Sequence, residues 1–542
     1  MKFNGVTKTL AASAVALLLA GCGGGGGGSS GLQLSGTAAT GAALADAQVE
    51  VQCAEGEGSA TTNASGGYTV NVGSGQLPCL VQVKGTTAGG VEVTLHSIAD
   101  EAGPDGVVTA NVTPVTEMIV AYLLGALPSE AFANFDADQV TPAAVAEAAK
   151  AIVAALKDAG VDLTGIDPLK DDLVPAVNGS GGNAYDKLLD TLGETVTPES
   201  LPLVVNQIAA AGATGGSAGS SALGNAMTAV SSGALEGCPV ALSGRYRFLD
   251  YNGALQEGAL DFKKMTATVE DATVAITRNA QACEVTIGGS TVAFGPGGVG
   301  IIHAPNIIAY VIPVQSHTLA SVAGTWTFME SGIDEDNEIT HFMGRIAIAA
   351  DGKGTVCEYD LPALATCTVD ATDTIQAHAD GGFRIVNDDG MDTRFYGFRA
   401  PSGDVTIFGT NNPGNSWEPG AYRTHWVMTR TPKAPVPAVG AVQKYWQVGV
   451  AYYDESDLFM EPLNRDGSTV TASDAAAGTY TRKVTSDGRV DSWLVNKPVD
   501  GVRYRGPGAG GSSEMLQLVL PGLGMSPYLT STGSYGIVVT RP

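Results

Sequence analysis

"GRYRFLDYNG" (residues 244–253) and "GTWTFMES" (residues 324–331) open two stretches of one design, eighty residues apart. In each, a glycine starts the run Gly-x-aromatic-x-Phe, which ends on a carboxylate, Asp250 or Glu330. Side chains alternating with period two take opposite faces of a strand. The same alternation recurs in "ATVAITR", "CEVTIGG", "FMGRIAIAADGKGTVCEYD", "DTRFYGFRAPSGDVTIFG", "YRTHWVMTRTP", "KYWQVGVAYYDES", "GTYTRKVTSDGRV" and "GSYGIVVTRP", with turn residues at short intervals. Everything after Leu242 therefore reads as antiparallel β-sandwich or meander-barrel modules. The matched pair points to an internal duplication within a β domain over 238–432. "TRTPKAPVPAVGAV" contains a short proline-bearing hinge at 433–442, which leaves a C-terminal β module at 443–542.

The Gly-x-Trp opening of the second copy resembles lipocalin or avidin-like barrels, and that resemblance favours a meander over parallel architectures. Upstream, residues 32–107 contain short alternating strands, "AQVEVQC", "GYTVNV" and "CLVQVKG", between Gly, Ser and Asn turns, which is sandwich patterning. "SGTAATGAALADAQVEVQ" followed by "TTNASGGYTVNV", with Gly36, Gly41, Leu44, Ala47, Val49, Gly67 and Tyr68 at the shared positions, resembles the carboxypeptidase regulatory-like, or transthyretin-like, domain. Asn63 stands where that family often has aspartate, and Cys53 and Cys79 are additions. The resemblance implies a small non-catalytic sandwich.

Between 108 and 212 the period changes to that of helices: "TPVTEMIVAYLLGAL", "TPAAVAEAAKAIVAALKDAG", "NAYDKLLDTLG" and "SLPLVVNQIAAAG". Thr113–Pro114 and Thr141–Pro142 supply an N-cap followed by proline at the first helical position, while Gly160 and Gly193 are suitable stops. Val145, Ile152, Val153 and Leu156 share one face of an amphipathic packing helix. Residues 213–237, rich in Gly, Ala and Ser, read as a linker.

At the N-terminus, Lys2, Lys8 and the apolar run Leu10 to Ala20 have the form of a secretory leader over 1–21, and the apolar run is too short for a permanent bilayer helix. Leu19-Ala20-Gly21-Cys22 resembles the lipobox of bacterial lipoproteins. That resemblance implies cleavage before Cys22, palmitate-type acylation of its thiol, and, with Gly23 rather than aspartate following, placement at the outer membrane. Residues 22–31 would then be a flexible Gly/Ser tether between lipid and first domain. Removing residues 1–21 leaves 521 of the 542 residues, enough for about three or four domains.

The formal net charge of −26 becomes −28 without Lys2 and Lys8, so phosphate backbones are repelled and nucleic acid is not an expected partner. The six remaining cysteines fall in order as Cys53/Cys79, Cys238/Cys283 and Cys357/Cys367. An even number in an exported chain suggests three sequential disulfides, each inside one module.

No local signature of catalysis is present. Gly-x-Ser-x-Gly centred on Ser217 lies in the small-residue stretch, without the strand and helix that a nucleophile elbow needs. "GPGGVG" at Gly295 to Gly300 satisfies GxGxxG, but a strand-like run follows it rather than a helix, so it reads as a turn. "DEDNE" at Asp334 to Glu338 lacks EF-hand spacing and reads as an acidic loop. The histidines at 96, 303, 317, 341, 378 and 425 show no metal-ligand spacing, and neither cofactor nor metal is expected.

Two function classes follow. The first is a lipid-anchored, non-catalytic envelope protein whose distal β modules contact a protein or glycan partner, with Trp326, Trp417, Trp426, Trp446 and Trp493 as the aromatic candidates. The second is an envelope hydrolase whose groups converge only in the fold, with Asp250, Glu330 and His425 as candidates.

Overall fold

The computed structural model describes residues 31–103, 106–177, 181–305, 307–333, 339–358, 369–372, 374–386, 392–411, 423–430, 432–454, 457–507 and 513–541. Its first module is a sandwich. One three-stranded sheet holds Leu32–Thr37, Gly67–Val72 and Val108–Thr109, and a four-stranded sheet holds Gln48–Glu55, Glu57–Thr61, Gln76–Thr86 and Glu92–Ala99. Cys53 and Cys79 face each other across two paired strands and are disulfide-bonded. The buried Tyr68 ties strand to strand by donating its hydroxyl to the carbonyl of Ala110.

Six helices follow the sandwich: α1 (Pro114–Leu124), α2 (Pro128–Ala133), α3 (Pro142–Asp158), α4 (Ala184–Gly193), α5 (Leu201–Thr214) and α6 (Gly216–Ser232). Thr113 and Thr141 cap α1 and α3 by accepting from the backbone N–H of Thr116 and Ala144, with proline at the first position of each helix. Val145, Ile152 and Leu156 of α3 are buried, as their spacing requires.

The linker expected at 213–237 is instead mostly α6. Its small residues form a packing face, because a Cβ at Gly219 would lie 2.6 Å from the carbonyl oxygen of Ala211 in α5, and a Cβ at Gly212 would lie 2.1 Å from that of Tyr122 in α1. Glycine disfavours a helix by about 1 kcal/mol relative to alanine. Here that loss accompanies a close helix–helix approach that a larger residue would block, and Leu223, Met227 and Val230 complete the buried face.

Three antiparallel β modules make up the rest. The proximal barrel is closed, with eight strands running in sequence order from Gly244–Asp250 to Ile307–Pro313. The middle module is a nine-stranded meander in which the first strand, Gly324–Ile333, pairs with the last, Arg423–Thr429, while Val369–Thr372 and Gln376–Ala377 are its two edges. The distal barrel is again closed and eight-stranded, from Val442–Asp454 to Tyr535–Thr540. The region expected as one domain at 238–432 thus contains two β modules, each opened by one copy of the repeated strand.

The copies correspond in detail. Tyr246 donates its hydroxyl to the carbonyl of Leu242, and Trp326 its indole N–H to that of Val322, in both cases four residues back. Around the second copy, α7 (Leu319–Val322) abuts Trp326, and the Arg430 guanidinium lies 4.8 Å over the indole ring while bonding the carbonyls of Ser321 and Ala323.

The modules pack closely. Asn206 of α5 donates to the carbonyl of Ala400 at 3.0 Å, joining helices to the middle module. Proximal and distal barrels meet at Glu284, which pairs with Arg465 at 2.7 Å and accepts from the indole of Trp446 at 3.0 Å. All three β modules converge where the hydroxyls of Tyr310 and Tyr535 bond at 2.5 Å beside Phe408 and His425. The "GPGGVG" sequence is the hairpin turn at this joint. A Cβ at Gly297 would fall 2.5 Å from the backbone of Gly522 and Leu523, so glycine allows two barrels to touch backbone to backbone.

Candidate functional site

Pairing registers in the proximal barrel put Tyr246, Phe248 and Asp250 on the inner face of its first strand, next to Pro313, Val311 and Ala309 of its last. Tyr246, Phe262 and Phe294 seal one end, with ring centroids 6.0–6.2 Å apart in edge-on contacts. Just outside that seal the Cys238–Cys283 disulfide fixes the strand that enters the barrel. Gly258, on the next strand, makes room for Phe248: a Cβ there would lie 2.9 Å from the phenyl ring.

The other end is a cup of about 410 Å³ lined by Phe248, Ala267, Val269, Val274, Ile287, Ile302, Ile307 and Ala309, with Asp250, Gln256 and Ser290 as its polar groups. Val274 is 37 % and Ile307 43 % exposed, so the cup has an apolar rim in contact with solvent.

Asp250 is the distinctive group of the cup. Its Oδ1 accepts two backbone N–H bonds of 2.8 Å, from Asn252 and Ala254, in a tight turn whose Gly253 has φ of 72°. That turn is pressed against the middle module, where Thr410 donates to the Gly253 carbonyl at 2.5 Å. Burial pushes the Asp250 carboxyl up to about 6, against the lowering effect of the two N–H bonds and of Arg423 nearby. A carboxylate held fixed at an apolar wall, half-protonated at about pH 6 and ionised above it, can accept from or pair with the polar end of a ligand whose body fills the cup.

Of the three candidates for hydrolysis, the cup is lined by Asp250 and not by Glu330 or His425. Asp250 is inside the proximal barrel. Glu330, on the equivalent inner-face position of the middle module, accepts from the hydroxyl of Thr424. His425 is buried between modules, its Nδ1 2.9 Å from the carbonyl of Tyr251, and desolvation pushes it down to about 4.

The four tryptophans among the described residues do not make a surface strip. Trp326, Trp446 and Trp493 are at most 1 % exposed, and Trp426 is half-buried against Phe395 inside the middle module. Trp417 lies outside the described residues, as do Cys22, Cys367 and Asp334 to Glu338. Cys357 is disulfide-bonded. Ser217 is exposed within α6, with no strand leading into it.

Among the histidines, His96 is buried against Glu117 at 2.8 Å and His317 is buried beside Gln315. His303 bonds the carbonyl of Glu461, and His378 pairs with Asp380 at 2.9 Å. His341 is largely desolvated, which lowers its pKa. Among the described residues no three His, Cys, Asp or Glu side chains are grouped to hold a metal.

The rim residues Val274 and Ile307 escaped sequence reasoning. In the alternation they are ordinary inner-face positions, and nothing in it marks which end of a barrel stays open.

No protein-family model and no curated protein matches the chain. Among solved structures it is similar to that of a protein of unknown function from the DUF3598 family of Nostoc punctiforme. The identity is 10%, 41% of this chain and 97% of that chain are covered, and the TM-score is 0.15.

Proposed function

We propose that the protein is a lipid-anchored, non-catalytic binding protein of the cell envelope whose proximal barrel takes one small amphiphile, its apolar body in the cup and an amine or hydroxyl end at Asp250. The observation that carries this is the cup itself: apolar walls, an apolar rim open to solvent and a single desolvated carboxylate. Burial of Trp326, Trp446 and Trp493 leaves an aromatic glycan-binding strip without its main members, so the ligand class moves from glycan or protein partner to amphiphile. The cup contains Asp250 without Glu330 or His425, so its lining does not favour the hydrolase alternative built on those three groups.

The sandwich, as a carboxypeptidase regulatory-like spacer, and the Gly/Ser tether would hold the cup away from an outer membrane reached through acylated Cys22. Membrane fractionation checks the anchor: Cys22→Ser should move the protein to the soluble or unprocessed fraction, and unchanged sedimentation with membranes would end that part of the proposal.

Calorimetric titration at pH 8 with a medium-chain alkylamine, the matching alcohol and the matching fatty acid tests the cup. The amine should bind about tenfold or more tighter than the acid, since the ionised carboxylate favours one head group and repels the other in a partly desolvated site. Ile307→Ser should weaken all three about threefold through lost apolar contact at the rim. Equal affinity for amine and acid would remove Asp250 from recognition, and no saturable binding of any of the three would remove the cup.

A further inference from the structure

The distal barrel has a second, unlike interior. Pairing registers place Tyr480 opposite Trp493, Arg482 opposite Asp491 and Trp493 opposite Arg505, so these side chains share one face of three neighbouring strands. That face is the inner one. The opposite face carries Trp446, Val448, Ile537 and Val539, which belong to the core shared with the other modules.

Asp491 is 3 % exposed and stands among three guanidiniums, with Arg489 at 3.1 Å, Arg482 at 3.5 Å and Arg505 at 3.7 Å. The last two distances are long for guanidinium–carboxylate hydrogen bonds, and Asp491 Oδ2 accepts none. Arg489 leads outward to the rim, where it also meets the half-exposed Asp487. At the rim Asp466 also acts on Arg489, so the cluster's excess of positive charge lies deeper, where Arg482 and Arg505 share the one carboxylate of Asp491, within a chain of net charge −26.

Its donors are also in surplus. The indole N–H of Trp493, at 1 % exposure, and the Nε–H groups of Arg482 and Arg505 are buried without a hydrogen-bond partner among the described residues. The three groups are neighbours inside the barrel, since the guanidiniums of Arg482 and Arg505 lie 4.9 and 5.7 Å over the Trp493 ring, against which Tyr480 is stacked. Burying a donor unpaired costs about 1–3 kcal/mol, more where it is charged, and an apolar core would avoid that cost altogether.

We propose that the interior of the distal barrel binds a small oxyanion on Arg482, Arg505 and the indole N–H of Trp493. A carboxylate, phosphate or sulfate group has the several acceptor lone pairs and the negative charge that this donor set lacks, and planar guanidiniums match its geometry. The site is independent of the cup in the proximal barrel, whose lining residues it does not share.

Isothermal titration of the full mature chain in detergent with acetate, inorganic phosphate and sulfate, each alone at low ionic strength, tests this. At least one anion should bind saturably and raise the melting temperature. Trp493→Phe keeps an aromatic ring beside Tyr480 but removes the N–H together with part of the ring, so it should weaken that anion about tenfold while the far-ultraviolet circular dichroism of the unliganded chain stays that of the parent. Arg505→Gln should weaken it further. If Arg505→Gln fails to fold, Trp493→Phe still decides. Absence of saturable binding for all three anions, or an affinity unchanged in Trp493→Phe, overturns the proposal.

Discussion

The proximal and distal barrels have the same strand number and the same meander order, yet they are filled in opposite ways. The proximal interior is apolar with one acid, and its outer wall carries polar groups such as Glu284 and His303 at the joints with its neighbours. The distal interior holds Arg482, Asp491, Arg505, Gln517 and Tyr528, while Trp446, Val448, Val450, Ile537 and Val539 point outward. A barrel normally buries one face by closing on itself. The distal barrel buries both, because the proximal barrel covers its outer apolar face, and its inner face is thereby released to carry charge. Gly449 and Gly536 on that inner face make the room that polar filling needs: a Cβ at either would come within 2.9 Å of the Tyr528 hydroxyl.

The largest effect expected from this contrast is at Trp446. Were the distal barrel an ordinary closed unit, an outward side chain would contribute little. Here Trp446 is fully buried and donates to Glu284, so Trp446→Ala should cost about 3–5 kcal/mol in denaturant unfolding, the range for removing a large aromatic from a core. A loss below about 1 kcal/mol would break the comparison, since the outer face would then not be core.

The same contrast explains how much was legible in the sequence. Alternation in "KYWQVGVAYYDES" separates Tyr445 and Gln447 from Trp446 and Val448, but cannot say which pair is inside, because that depends on a neighbour more than a hundred residues upstream. The strands, the helices with their Thr-Pro caps and two of the cysteine pairings followed from local pattern and spacing. So did the carboxylates at the end of each repeated strand, since Asp250 and Glu330 occupy matched inner-face positions. The stretch 213–237 misled because small residues signal a flexible chain in isolation and close packing when another helix lies alongside, and composition is identical in the two cases. The tryptophans could be read both ways, because large amphipathic rings suit a binding strip and a core, and the four described ones are buried or half-buried.

A smaller effect, opposite in sign, sharpens the comparison at Asp250. A carboxyl whose pKa rises from 3.8 to about 6 on folding binds its proton more tightly in the folded chain than in the unfolded one. Below pH 4 both states are protonated and the group is neutral in its effect. As pH climbs to about 6 the unfolded chain ionises first, and stability falls by up to about 3 kcal/mol, then stays level at higher pH. Asp250→Asn keeps an Oδ1 acceptor for the N–H groups of Asn252 and Ala254 but has no proton to lose. The variant should therefore melt higher than the parent at pH 7.5, converge with it below pH 4, and lose the preference for an alkylamine over a fatty acid. In the distal barrel the buried Asp491 has arginines on three sides, whereas Asp250 has only backbone donors and a more distant Arg423, which is why the destabilising acid is in the apolar barrel. A side chain that lowers stability at working pH and is fixed by its own turn is the mark of a group retained for binding rather than for packing. Equal melting temperatures for Asp250→Asn and parent at pH 7.5 would show that the carboxylate is solvated, and that the cup has no desolvated acid to offer a ligand.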